Sequence, residues 1–127
     1  MSAISTHVLD LSTGCPATGM RVRLERVATA GRAAAGAAEE IAAASTDANG
    51  RIASLGPEVI TAGTYRLIFD TGGYLAGQRA NSGDVAAGTE ETPFFPEVTV
   101  TFAVADGEHY HVPLLMSPFG FSTYRGS

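Results

Sequence analysis

An all-β sandwich is the fold this sequence predicts, and three observations predict it. Seven or eight short segments alternate apolar with polar side chains, Gly and Pro punctuate the chain between them, and one short stretch at most is helical. With 127 residues there is room for a single domain, residues 1–127, that buries roughly two-thirds of the surface its unfolded chain exposes.

Residues 4–11 alternate, with His7, Leu9 and Leu11 on one face and Thr6, Val8 and Asp10 on the other, because successive strand side chains point oppositely. Thr13, Gly14, Cys15, Pro16 and Ala17 then supply turn residues. Met20, Val22 and Leu24 alternate with Arg21, Arg23 and Glu25, the pattern of a half-buried strand with its arginines in water. The Ala- and Gly-rich segment 28–45 has helix propensity over 37–44, but Gly31 and Gly36 oppose a long helix. A flexible loop leading into a weak strand over 40–45 is the expectation there. Asp47, Ala48, Asn49 and Gly50 read as a tight hairpin turn, since Asn followed by Gly tolerates positive φ. Arg51 therefore opens a strand over 51–55.

In residues 64–70, Tyr65, Leu67 and Phe69 lie opposite Arg66 and Ile68, which predicts a strong strand ended by Gly72 and Gly73. A short helix over 74–80 and a polar, Gly-punctuated surface loop over 81–92 follow. Val98, Val100 and Phe102 alternate with Thr99 and Thr101 in another half-buried strand, 97–104. Asp106 and Gly107 turn into a strand over 109–115, and Ser117, Pro118, Phe119 and Gly120 turn into a last one over 121–124. Strands at the edges of such sheets invite pairing between subunits, and closed symmetric oligomers resolve that exposure.

The formal charge is -5, and the 8 basic residues are scattered, whereas a nucleic-acid surface needs clustered Lys and Arg. No nucleic-acid partner is expected. Cys15 is the only cysteine, so no intrachain disulfide can form and no oxidising compartment is needed. The first ten residues lack a basic stretch followed by an apolar one, and no segment approaches a membrane span. A soluble cytoplasmic protein without a membrane partner is the expectation.

The chain has 3 histidines, His7, His109 and His111. Any one of them alone is more often structural than functional, although His is the usual acid/base group near neutral pH. Their pattern carries more: His7 interrupts a face otherwise held by Leu9 and Leu11, and His111 one held by Pro113 and Leu115. Ser122 and Tyr124 share a face of the terminal strand, so the last hairpin brings a hydroxyl, a phenol and the Arg125 guanidinium toward the histidines. Taken alone, Arg51 would be a solvated strand-end residue and Arg125 a frayed one. No GxSxG elbow and no phosphate-binding glycine spacing occurs.

The carboxy-terminal run HYHVPLLMSPFGFSTYRGS resembles the signature of the 5-hydroxyisourate hydrolases, the purine-catabolic relatives of transthyretin. Residues 6–19 (THVLDLSTGCPATG), 46–52 (TDANGRI), 65–74 (YRLIFDTGGY) and 94–102 (FFPEVTVTF) are similar to the same family, while the Ala/Gly segment departs from it in length and composition. The resemblance implies a transthyretin-like sandwich of two four-stranded sheets, assembled as a homotetramer with active sites at the mouths of a central channel. It implies His7, Arg51 and His111 as catalytic residues, and Ser122, Tyr124, Arg125, Gly126 and Ser127 as substrate-binding residues. The implied reaction opens the six-membered ring of 5-hydroxyisourate at an amide bond, giving 2-oxo-4-hydroxy-4-carboxy-5-ureidoimidazoline, with no metal and no cofactor. In that reading one histidine, His111 ahead of His7, is the base toward water, and Arg51 faces the developing oxyanion. His109 stays outside the core set, being nearer the turn.

Two rivals stand beside this reading. His109 and His111 at i and i+2 with His7 elsewhere resemble a three-histidine zinc site with an open position. A carrier that uses the channel for a small aromatic ligand, as transthyretin does, would need no catalysis.

Overall fold

The computed structural model describes residues 3–27, 38–82 and 93–126, with the side chains of 79–82 left aside. The loop expected over 28–37, most of the one expected over 81–92, and Ser127 lie outside the described residues. The strands are β1 (Ile4–Asp10), β2 (Cys15–Pro16), β3 (Arg21–Val27), β4 (Ala38–Ser45), β5 (Arg51–Ile52), β6 (Gly63–Phe69), β7 (Val98–Val104), β8 (Tyr110–Ser117) and β9 (Gly120–Thr123). The helix is α1 (Thr71–Ser82).

Two sheets form the sandwich. One runs β2-β1-β8-β9 with β5 also on β1, and the other β4-β3-β6-β7. The alternation read from the sequence is what fills the space between them: Ile4 and Val8, Met20, Val22 and Leu24, Tyr65, Leu67 and Phe69, and Leu114 and Met116 are buried in one cluster. Each such side chain contributes about 1.5–3 kcal/mol on leaving water. In β1 the core side is the one carrying Thr6, Val8 and Asp10, which leaves His7 and Leu9 half-buried and Leu11 exposed on the other face.

The pairing of β1 with β8 is parallel, and it joins residues about a hundred positions apart: Ser5 lies opposite His111, and His7 opposite Pro113. Thr6 fixes this register from the core side, its hydroxyl donating to the Val112 carbonyl at 2.6 Å. On the other edge of β1, β5 pairs antiparallel, with His7 opposite Arg51.

Three expectations are corrected. The turn at 47–50 is tight but not a hairpin, because β4 belongs with β3 and β5 with β1, in different sheets. It is closed locally, by Asp47 N–H donating to the Arg51 carbonyl at 2.9 Å and the Asp47 carboxylate accepting from Asn49 and Arg51 N–H at 2.8 and 3.0 Å. Asn49 keeps a negative φ and Gly50 alone takes the left-handed backbone, at φ 75°. The helix starts earlier than 74, since Asp70 caps it: its carboxylate accepts the Gly73 N–H at 3.0 Å and its carbonyl the Tyr74 N–H at 3.1 Å. Nine strands occur among the described residues, the extra one being β2, two residues within the expected turn that pair with the end of β1.

Gly50 is a tight point of the site's scaffold. A Cβ there would stand 2.5 Å from the Val8 carbonyl oxygen. Gly50→Ala is expected to cost at least about 1–2 kcal/mol from the left-handed backbone alone, with the clash in addition. A lowered thermal midpoint checks this, and an unchanged one would show that the turn adapts.

Helix α1 is tied to the site sheet from the core side. Asp10 is 1% exposed, and its carboxylate accepts the Tyr74 hydroxyl at 2.8 Å and the Ser12 N–H at 2.9 Å. Burial, and then the Asp10 carboxylate, push the Tyr74 phenol well above its ordinary value.

Candidate active site

The outer face of the β1–β8 sheet carries the chemistry. Period two places Ser5, His7 and Leu9 of β1 on that face, and the pairing register adds His111, Pro113 and Leu115 of β8 and Arg51 of β5. His7 is opposite Pro113 and therefore one row from His111. A strand rise of about 3.3 Å and a strand spacing of about 4.8 Å put the two histidine Cα atoms on the order of 8 Å apart. Ser5, Thr6, Arg51, Ile52, Ala53, His109 and His111 line a concavity of about 190 Å³ on this face.

Each group there is held differently. His111 is half-buried, its Nδ1 is 2.8 Å from the Ser5 hydroxyl, and Nε2 makes no hydrogen bond among the described residues. Burial holds the His111 imidazole below its ordinary value of 6.5, and the Arg51, His7 and His109 charges push it the same way. Arg51 has its main chain pinned by the Asp47 carboxylate, while its guanidinium forms no ion pair among the described residues. The Arg51 N–H, then the Asn49 N–H, and the Arg51 charge keep that carboxylate below the ordinary aspartate range. Exposed on this face, a cation with no ion-pair partner among the described residues suits an anionic ligand.

His111 is a base only when neutral. A folded value below 6.5 keeps it neutral to lower pH than a free imidazole, so a reaction in which it served as base would have the acid limb of kcat/KM below pH 6.5. A limb centred above 6.5 would show that another group carries the limb.

The carboxy-terminal segment divides. Pro113 has no N–H to give, and the β8–β9 ladder stops at Leu114 opposite Thr123 and resumes only as a bridge between His111 and Gly126. Gly126 N–H donates to the His111 carbonyl at 2.8 Å, and a Cβ on Gly126 would meet His111 Cδ2 at 2.5 Å. Only a glycine lets the terminus lie this close to the ring. Ser122, opposite Leu115, is on the histidine face and exposed. Arg125 is not brought to the histidines: its guanidinium sits 4.6 Å from the centre of the Tyr110 ring and 3.7 Å from the Glu108 carboxylate. With the exposed Tyr124 it borders a second concavity, which Val100, Phe102 and Val112 also line.

Two residues were missed by sequence reasoning. His109 lines the same concavity as His111, and Ser5 joins the two rings. His109 had a signal, the period-two spacing to His111; Ser5 had none, because its role depends on a partner 106 positions away. Among the described residues no three His, Cys, Asp or Glu side chains are grouped as metal ligands.

The profile of the HIUase/Transthyretin family matches residues 4–126. This chain belongs to the HIUase/Transthyretin family. A protein named 5-hydroxyisourate hydrolase from Salmonella typhimurium is 41% identical over 126 residues, covering 98% of this chain and 80% of that protein. One of the same name from Mesorhizobium japonicum is 41% identical over 128 residues, covering 98% and 91%. Among solved structures, 5-hydroxyisourate hydrolase from Klebsiella pneumoniae superposes with a TM-score of 0.74 at 37% identity, covering 100% of both chains. Transthyretin from Sparus aurata superposes with a TM-score of 0.78 at 28% identity, covering 99% and 97%. The family's fold thus holds both hydrolases and transthyretins, so the fold alone does not choose between them.

Proposed function

We propose that this protein is a hydrolase that opens 5-hydroxyisourate at a ring amide, giving 2-oxo-4-hydroxy-4-carboxy-5-ureidoimidazoline. The observation that carries the reading is the Arg51 guanidinium, without an ion-pair partner among the described residues, on one sheet face with His7 and His111, in a chain 41% identical to relatives of that name. His111 Nε2 takes a proton from water as the oxygen attacks the ring carbonyl carbon. The C–N bond then breaks, the carbonyl carbon becomes the carboxylate, and the released nitrogen takes a proton, from His7 or from His111, and becomes part of the ureido group. Arg51 stabilises the negative charge that grows on the carbonyl oxygen, a role for which its planar fork is suited. Ser122 and Tyr124 hydrogen-bond substrate or water, and Gly126 backs the His111 ring.

The site is shallow in one chain, which fits a homotetramer whose other copies close it. β7 and β9 are the outer strands of their sheets beside the second concavity, so both present unpaired main chain on one flank. Sedimentation should give four times the 13.1 kDa chain mass. Cys15 is exposed and free, which suits the reducing cytoplasm. No described helix is long and apolar enough to cross a membrane. Freshly generated 5-hydroxyisourate, followed by ultraviolet absorbance, should vanish faster with the protein than without it. No acceleration by well-folded protein would favour a carrier.

A further inference from the structure

Ser5 is the side chain that links the two histidines of the β8 end. Its hydroxyl oxygen lies 2.8 Å from His111 Nδ1 and 3.2 Å from His109 Nε2, and the residue is only 8% exposed. The parallel register holds it there, with Ser5 opposite His111 and the Tyr110 N–H donating to the Ala3 carbonyl at 2.7 Å. Gly126 lies against the Cδ2 edge of the His111 ring, and Nδ1, on the other edge, meets Ser5.

A serine hydroxyl has one proton to give, and each neutral imidazole has one nitrogen that donates and one that accepts. Ser5 therefore cannot donate to both rings at once. If its proton goes to His109 Nε2, it accepts from His111 Nδ1–H, and His111 keeps an unprotonated Nε2. If its proton goes to His111 Nδ1, the His111 proton sits on Nε2 and the ring is no base there. The second ring nitrogen decides the tautomer of the first, as in other imidazoles oriented from behind.

We infer that Ser5 and His109 are positioning residues that keep the His111 proton on Nδ1, so that Nε2 is left unprotonated for water. His111 Nδ1–H donates to Ser5 Oγ, and the Ser5 hydroxyl donates to His109 Nε2. The inference rests on the hydrolase reading for its consequence in rate, but its geometry does not depend on the substrate.

The test reads tautomer and turnover separately. In protein labelled with nitrogen-15 histidine at pH 8, the ring-nitrogen shifts of His111 should show Nδ1 protonated and Nε2 bare; three single-histidine variants assign the signals. In Ser5→Ala the proton should move to Nε2, and kcat should fall at least about tenfold, toward the 10²- to 10⁴-fold worth of a general base, with KM little changed. Ser5→Thr, which restores the hydroxyl, should recover both readouts. His109→Leu, at an exposed position, should shift the His111 tautomer in the same direction if Ser5→Ala does not fold. A His111 that keeps its proton on Nδ1 in folded Ser5→Ala or His109→Leu protein overturns the inference, as does unchanged kcat. A tautomer shift in a protein that never consumes 5-hydroxyisourate upholds the link and overturns the hydrolase reading instead.

Discussion

His111→Asn is expected to fold, to assemble as the parent does and to lose about 10²- to 10⁴-fold in kcat. The Asn amide can still meet the Ser5 hydroxyl, since it starts from the same Cβ and reaches a similar distance, and the Gly126 N–H bonds to the main-chain carbonyl of residue 111, which the change leaves alone. What disappears is the nitrogen lone pair facing the concavity, because an amide nitrogen is not basic. His111 is half-buried and outside the core cluster, so the thermal midpoint should move little. Substrate decay by absorbance, with circular dichroism and sedimentation on the same sample, makes the check. Near-normal turnover from a folded, assembled variant would remove His111 from the role of base and leave His7 to carry it.

Arg51→Gln should show a second large effect, with two parts that separate its roles. Loss of the fixed cation beside the reacting carbonyl should cost about 10²- to 10³-fold in kcat, the range for one preorganised donor to an oxyanion. Its guanidinium has no ion-pair partner among the described residues, so little stability goes with it. The second part is a shift in pH dependence. The Arg51 charge disfavours the protonated form of His111, so removing it lets His111 hold its proton to higher pH, and the acid limb of kcat/KM should move upward. Arg51→Lys should keep the limb near its original position while recovering only part of kcat, because an ammonium supplies charge without the fork. A limb that does not move in Arg51→Gln would mean that the guanidinium turns away from His111 in solution.

Much of the sandwich was legible because its signal is local. Alternation over 64–70 and 97–104 marks strands β6 and β7 almost to the residue, and Asp47 with Gly50 marks the turn that leads into Arg51. The early start of α1 was legible too, in Asp70 as a cap, once the two glycines are read as its first turn and not as a strand stop. The placement of Arg125 was not legible: β9 ends at Thr123, so strand parity no longer applies, and the guanidinium meets Tyr110 and Glu108 instead of the histidines. Which face of β1 is buried was not legible, since Leu9 and Leu11 look more apolar than Thr6 and Asp10. Thr6 and Asp10 can be buried because the Val112 carbonyl takes the Thr6 hydroxyl, and Tyr74 and Ser12 donate to Asp10.

The chain by itself determined where strands run, which side chains alternate, and, through its resemblance, the family and the residues to suspect. It carries that information because side-chain period and turn chemistry act over a few neighbours. The tertiary structure decided which strands meet. The parallel pairing of β1 with β8 sets Ser5 against His109 and His111, and the turn between sheets delivers Arg51 beside His7. No local pattern encodes either contact, because register between strands a hundred residues apart is fixed by how both faces pack and by bonds such as Thr6 to Val112, which exist only after the chain has folded.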